Sequence, residues 1–407
     1  MTDLGSSDLH TAESMLLAAC AGATLGSVPP EGPWLRFAEL AASLRVASTL
    51  WAQANGAGWP EIAAAICNKQ YRRNAIRSLR LRGTLVALDR ACAHLGVEYC
   101  ALKGAALMVE IYRDPAARMM RDLDLLLDRR GAQVLHDWLQ VNGWSVPPGI
   151  LRQPDRDAIH LPVLIEEASG VGLELHFQVG SKDWLQGSEL AGQLLSEAQI
   201  RPCLNGQVRI SAPGPLLAHV LVHAFSGQIF DTGPQLLCDV RAILESGHLA
   251  PDDCAEIIAR YDLSAFANLV DAVAERFAVG RLRLGGAQIW KPDEDSVTDA
   301  AALMLAPPGR AEARRMALTA ANKTSLLSRA AWLLRSAFEP APEALAKLSG
   351  RPANDPVRWL AYPRWLGTRA LIVLNALGDR RLAHERALDA RLRRLVFGRA
   401  NPDKLVV

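Results

Sequence analysis

Residues 102–128 read LKGAALMVEIYRDPAARMMRDLDLLLD. A β-strand turns successive side chains to opposite faces, so Asp122 and Asp124 share one side while Leu123, Leu125 and Leu127 share the other. Two like charges held that close are costly without a cation between them. An exposed edge strand, or carboxylates capping neighbouring loops, are the bland alternatives. Neither readily explains two acids opening an otherwise apolar strand. A divalent metal held by hard oxygen ligands does.

Upstream, VEYCAL (97–102) follows the helix-ending Gly96 and predicts a short buried strand that stops at Lys103-Gly104. A helix over roughly 105–112 is expected next, then a loop through YRDPAAR. Glycine at a strand-to-helix junction lets a ligand approach the backbone, and the N-terminal amides of the helix present the positive end of its dipole. Such a junction suits phosphate, and Lys103 can add a point charge to the same anion. A turn glycine beside a surface lysine is the plain reading of the same two residues.

Downstream, Asp128 is placed to cap a helix running to Gly143, and two strand candidates follow, HLPVLIEE (160–167) and LELHFQV (173–179). A two-metal centre needs a third carboxylate. Glu174 is the candidate, the only acid inside its strand and flanked by leucines, with His176 on the same face at the period-two spacing.

The wider chain sets the frame. At 407 residues and 50% hydrophobic composition it can bury substantial cores in two or three domains. A formal charge of +2 argues against an extended nucleic-acid cradle. Seven scattered cysteines without a C-x-x-C pair read as reduced, buried small hydrophobes. No leader-like segment and no membrane-length apolar run is visible, so the expectation is a cytoplasmic protein with no membrane partner. Three segments are expected: a helical one over 1–95, broken at Pro29-Pro30 and Gly56 to Pro60, an α/β core over 96–205, and a helical domain over 206–407.

The series KGAAL, a loop with Tyr112, Pro115 and Arg118, DLDLLL, Gly143-Trp144, a His-x-Pro strand at 160–162 and LELHF resembles the uncharacterised nucleotidyltransferase family of the DNA polymerase β-like superfamily. The resemblance continues through LLAHVLVHAFSG and LCDVRAIL and covers roughly residues 35–245. It implies an α+β fold, a short mixed sheet with helices embedded between helical segments. It also implies an NTP donor, two Mg²⁺ (or Mn²⁺) ions, and transfer of an NMP group to a hydroxyl of an unidentified acceptor. Gly104 is similar to the glycine of the superfamily's Gly-Ser motif, Asp122 and Asp124 to its paired metal ligands, and Glu174 to its third carboxylate. Ala105 stands where many members have serine, so backbone amides, Lys103 and Arg118 are left to hold the phosphates. Arg121 can reach a phosphate or pair with a nearby acid. A catalytically silent scaffold and a toxin-like enzyme that modifies tRNA are the rival readings.

His176 fits both a contact to acceptor or phosphate and simple packing, and His160 leans towards structure. His219 and His223, four residues apart on one helix face, have the spacing of a zinc pair and equally that of satisfied core histidines. Asp239 is read either as a cleft contact or as the partner of an arginine such as Arg241. Arginine stripes at Arg73, Arg77 and Arg80 and at Arg391, Arg393, Arg394 and Arg399 read as solvated faces, and as the places to look if the acceptor is RNA.

Overall fold

A computed structural model of the chain describes residues 11–25, 33–147, 158–180, 184, 186–226, 229–278, 282–285, 290–307, 345, 348–349, 356–367 and 380–397. The N-terminal segment forms α1 (Ala12–Ala21), α2 (Trp34–Ser43), α3 (Ala47–Ala54) and α4 (Glu61–Leu95). Gly56 and Gly58, both in the left-handed region, end the α3 turn as expected, whereas Pro29 and Pro30 lie outside the described residues. At 35 residues, α4 is about 50 Å long. It closes on Gly96 at φ 64°, a conformation that costs a residue without Cβ little. Its buried stripe, including Leu81, Leu85, Leu88 and Cys92, faces the sheet.

The sheet has seven strands: β1 (Cys100–Ala101), β2 (Asp122–Leu126), β3 (Trp144–Ser145), β4 (Leu164–Glu166), β5 (Gly172–His176), β6 (Gln199–Cys203) and β7 (Gly206–Ile210). Their order is β3-β4-β5-β2-β1-β7-β6, with β2 parallel to β5, β1 parallel to β7, and the other pairs antiparallel. Interleaved with them are α5 (Lys103–Ala106), which continues as a π-helical turn over Leu107–Ile111, then α6 (Arg129–Gln140) and α7 (Gly187–Ser196). The Asp128 side chain caps α6 by accepting from the Gly131 amide at 2.6 Å.

Three expectations need correction. The sheet does not end at residue 205, because the β6–β7 hairpin runs to Ile210 and supplies the parallel neighbour of β1. Its cue was Asn205-Gly206, a turn signal between two alternating runs. The helix after β1 starts at Lys103 rather than 105, and His160 makes an isolated bridge to His176 instead of opening β4.

The C-terminal part contributes α8 (Pro213–Ser226), α9 (Gln235–Glu245), α10 (Pro251–Arg260), α11 (Ser264–Phe277), α12 (Glu294–Met304) and α13 (Arg380–Phe397). One buried apolar cluster reaches from Ala12 through both faces of the sheet to Val396. All seven cysteines are free and buried, and no helix among the described residues is long and apolar enough to cross a membrane.

Candidate active site

Parallel pairing of β2 with β5 sets Asp124 directly beside Glu174, Asp122 beside Gly172 and Leu126 beside His176. Because alternate residues share a face, both aspartates, Glu174 and His176 project from one side of the sheet, while Leu123, Leu125, Leu173 and Leu175 fill the core on the other. At that face His176 Nε2 lies 2.9 Å from Asp124 Oδ1 and 3.2 Å from Glu174 Oε2. Lys103 Nζ lies 2.7 Å from the same Asp124 oxygen. Lys103 adopts φ 45°, uncommon for a residue with a side chain, where the chain turns from β1 into α5.

These neighbours determine the ionisation of the acids. Burial works against the charged form of Asp124, but Lys103 and His176 hold its pKa well below the usual carboxylate value. The hydrogen bond from His176 likewise lowers Glu174. His176 is raised, its carboxylate partners outweighing burial and the nearby Lys103 charge. Asp122 goes the other way: burial, then Asp124 and Glu174, push its pKa up. Its carboxylate has no side-chain hydrogen-bond partner among the described residues.

This donor set fits a hard divalent cation, because an unpartnered acid stands beside two that are ionised. Among the described residues the groups close enough to share an ion are Asp124, Glu174 and His176, with ligand atoms within 4.8 Å of one another. Asp122, expected in the ligand set, lies outside that cluster, one strand period further from Glu174. His176 completes the cluster from the same face of the sheet.

The expected phosphate contacts are arranged differently from the sequence reading. Lys103 is committed to Asp124 rather than standing free. Gly104 is buried, and a Cβ there would collide with Arg118 Nη1 and lie 2.7 Å from Met120 Sδ, so protein atoms cover this Cα. Ala105 is also buried, and its amide and that of Ala106 bond the Leu102 carbonyl at 3.1 and 3.4 Å. Arg118 donates from Nε and Nη2 to Asp239 at 2.9 and 2.8 Å. Asp239 therefore pairs with Arg118 and not with Arg241, which lies 3.7 Å from Glu245. Arg121 is exposed beside Asp122.

The sequence reading passed over the side chains that hold the loop between Tyr112 and Asp122. Thr49 donates to the Ala117 carbonyl at 3.0 Å, Ser78 to Pro115 at 2.9 Å, and Asn74 to Ala116 and Arg118 at 2.7 and 2.9 Å. Arg77, from the expected solvated stripe, reaches the Met120 carbonyl at 3.3 Å. Polar residues on an amphipathic helix carry no local mark of such long-range partners. Arg45, also unforeseen, is half-buried at φ 66° and feels the charges of both Arg121 and Asp122.

His219 and His223 lie on α8 with rings 6.4 Å apart and belong to no group of three metal-competent residues among those described. Burial and then Lys103 lower the pKa of His219, the buried member of the pair. His160 stacks edge-on against His176 at 5.3 Å, and its Nδ1 lies 2.7 Å from the Leu161 carbonyl. In the C-terminal stripe Arg391 pairs with Asp299 at 3.1 Å and Arg393 donates to the Phe225 carbonyl at 3.0 Å, tying α13 to the body of the protein, while Arg393 also pairs with Asp389 along the same helix at 2.9 Å. Arg399 lies outside the described residues.

A mixed sheet carrying paired acids on one strand and a glutamate on its parallel neighbour is the architecture of a nucleotidyltransferase core. The family described as uncharacterised nucleotidyltransferase matches residues 30–278, and the chain belongs to that family. No curated protein matches the chain.

Proposed function

We propose that this protein is a metal-dependent nucleotidyltransferase that moves an NMP group from an NTP to a hydroxyl of an acceptor. The observation that carries this reading is the parallel register of β2 and β5, which sets Asp124 beside Glu174 with Asp122 on the same face. In the reaction the acceptor oxygen bonds to the α-phosphorus, the bond from that phosphorus to the bridging oxygen breaks, and pyrophosphate leaves. Two Mg²⁺ or Mn²⁺ ions, when bound, supply neutralisation of the triphosphate charge and acidify the acceptor hydroxyl.

The chain's own residues do the rest. Asp122, Asp124 and Glu174 hold the ions, and His176 keeps Glu174 and Asp124 ionised for that task. Glu174 is placed to take the acceptor proton. Arg118 and Arg121 bind the phosphates, and Lys103 stands at the same junction, held on Asp124. His223, exposed on α8 near Lys103, and His160 border the space left for the acceptor. Rate enhancement comes from alignment and charge neutralisation.

Asp122→Asn is the cleanest test, because this carboxylate has no partner to orphan and its removal relieves like-charge repulsion. Pyrophosphate release with each NTP and Mg²⁺ or Mn²⁺, in the presence of a cell extract as acceptor source, should fall about a hundredfold or more, with unchanged thermal unfolding. Native turnover in Asp122→Asn would sink the metal-site assignment. Absence of release in the wild type would favour the catalytically silent nucleotide-binding or scaffold protein instead.

A further inference from the structure

Resting on that reading, we propose that Asp239, Tyr112 and Gln235 are positioning residues that aim the Nη1 end of Arg118 at the donor's phosphates. Residue 104 is glycine, on this proposal, to leave that guanidinium its place.

Asp239 accepts four hydrogen bonds. Arg118 supplies two through Nε and Nη2, at 2.9 and 2.8 Å, the Tyr112 hydroxyl donates at 2.8 Å, and Gln235 Nε2 donates at 3.0 Å. The pair is nearly sealed, with side chains 13% and 5% exposed. Tyr112 and Gln235 reach Asp239 from different elements: Tyr112 closes the π-helical turn, and Gln235 sits one helical turn before Asp239 on α9. The carboxylate is thus fixed from both sides, and the guanidinium plane is fixed with it.

That arrangement consumes two of the three guanidinium nitrogens. Nη1 makes no hydrogen bond among the described residues, and the 13% of the Arg118 side chain that stays exposed leaves that end open to a ligand. Its position is known from Gly104, where a Cβ would collide with it. Nη1 therefore lies over the first turn of α5, at the junction where Lys103 bonds Asp124. Lys103 is held on Asp124, whereas Nη1 is the guanidinium nitrogen that the Asp239 pair leaves without an acceptor among the described residues. A locked, planar donor beside paired acids suits a phosphate oxygen. Stability alone is a weak reason for such a pair, since buried ion pairs contribute little over apolar residues of the same shape.

Titration calorimetry of the full chain with magnesium tripolyphosphate, which needs no knowledge of the base, tests the proposal alongside thermal unfolding. Arg118→Lys keeps a charge for Asp239 but has no second end to offer, so it should stay folded and bind roughly ten- to a hundredfold more weakly. Tyr112→Phe, which removes one bond and no charge, should weaken binding by a smaller factor. The double variant Arg118→Met with Asp239→Leu leaves no orphan charge and should match the loss in Arg118→Lys. Native affinity in a folded Arg118→Lys and in the folded double variant overturns the proposal and makes the pair a purely structural bridge. Wild-type protein that binds neither tripolyphosphate nor any NTP overturns the nucleotidyltransferase reading itself, an outcome distinct from loss of the positioning role.

Discussion

His219 shows how one buried side chain couples fold to solution conditions. Burial, then the charges of Lys103, His223 and His176, keep its folded pKa well below the ordinary histidine value, and its Nδ1 is buried without a partner among the described residues. In the unfolded chain the same ring takes up a proton as pH falls through about 6.5. The unfolded state then binds more protons than the folded one, so His219 costs stability as pH drops below that value and costs none above it. Urea unfolding between pH 7.5 and 5 should show this acid-side slope, and His219→Leu should flatten it. An unchanged slope in that variant would remove His219 from the balance. Asn74 acts at the same scale by different means. Its amide satisfies two carbonyls, those of Ala116 and Arg118, in the loop that carries the guanidinium. Asn74→Ala leaves both unpaired and should cost about 2–4 kcal/mol in denaturant unfolding. Tripolyphosphate affinity should fall too, because the loop backbone at Arg118 is released.

Among the elements, the β6–β7 hairpin and α4 depend on each other. Gly206 opens β7 against α4 so closely that a Cβ there would lie 2.6 Å from Val86 Cγ1. Gly206→Val overpacks this contact and should destabilise the protein by about 1–3 kcal/mol, read as a lower denaturant midpoint at constant slope. β1 stands between β7 and the site strand β2, so metal-supported nucleotide binding in the folded variant should stay native. The π-helical turn has a comparable effect on register. By inserting one extra residue per turn it brings the Tyr112 amide to the Leu107 carbonyl at 2.9 Å and leaves the Tyr112 hydroxyl on Asp239.

For the whole molecule, the helical N-terminal segment is part of the folded unit that carries the candidate site. It buries α4 against the sheet and supplies Thr49, Asn74 and Ser78 to the loop before β2. A fragment covering residues 96–278 would expose the apolar face that covers the sheet and leave those carbonyls unpaired. It should show neither cooperative thermal unfolding nor near-ultraviolet circular dichroism, whereas the full chain shows both. A fragment that unfolds cooperatively and binds nucleotide would overturn this dependence.

Strand alternation at 122–126, the glycine stop at Gly96, the Asp128 cap and the breaks between α-helices are local properties, each determined by a few consecutive residues, and the sequence alone determined them. The shared face of Asp122, Asp124, Glu174 and His176 needed one further step, the adjacency of β2 and β5, which the motif pattern already implied. Partner choice was another matter. Asp239 had several arginines within plausible reach, and packing selected Arg118, 121 residues away, over Arg241 two residues along its own helix. Side chains two apart on a helix point away from each other, whereas α9 and the Arg118 loop face one another across the core. The same holds for Lys103 on Asp124, for Gly104 beneath Arg118, and for the β6–β7 hairpin beside β1. Periodicity records which face a residue occupies. Only tertiary structure decides what lies opposite it, because burial leaves each polar group with whichever partner the packed elements bring within bonding distance.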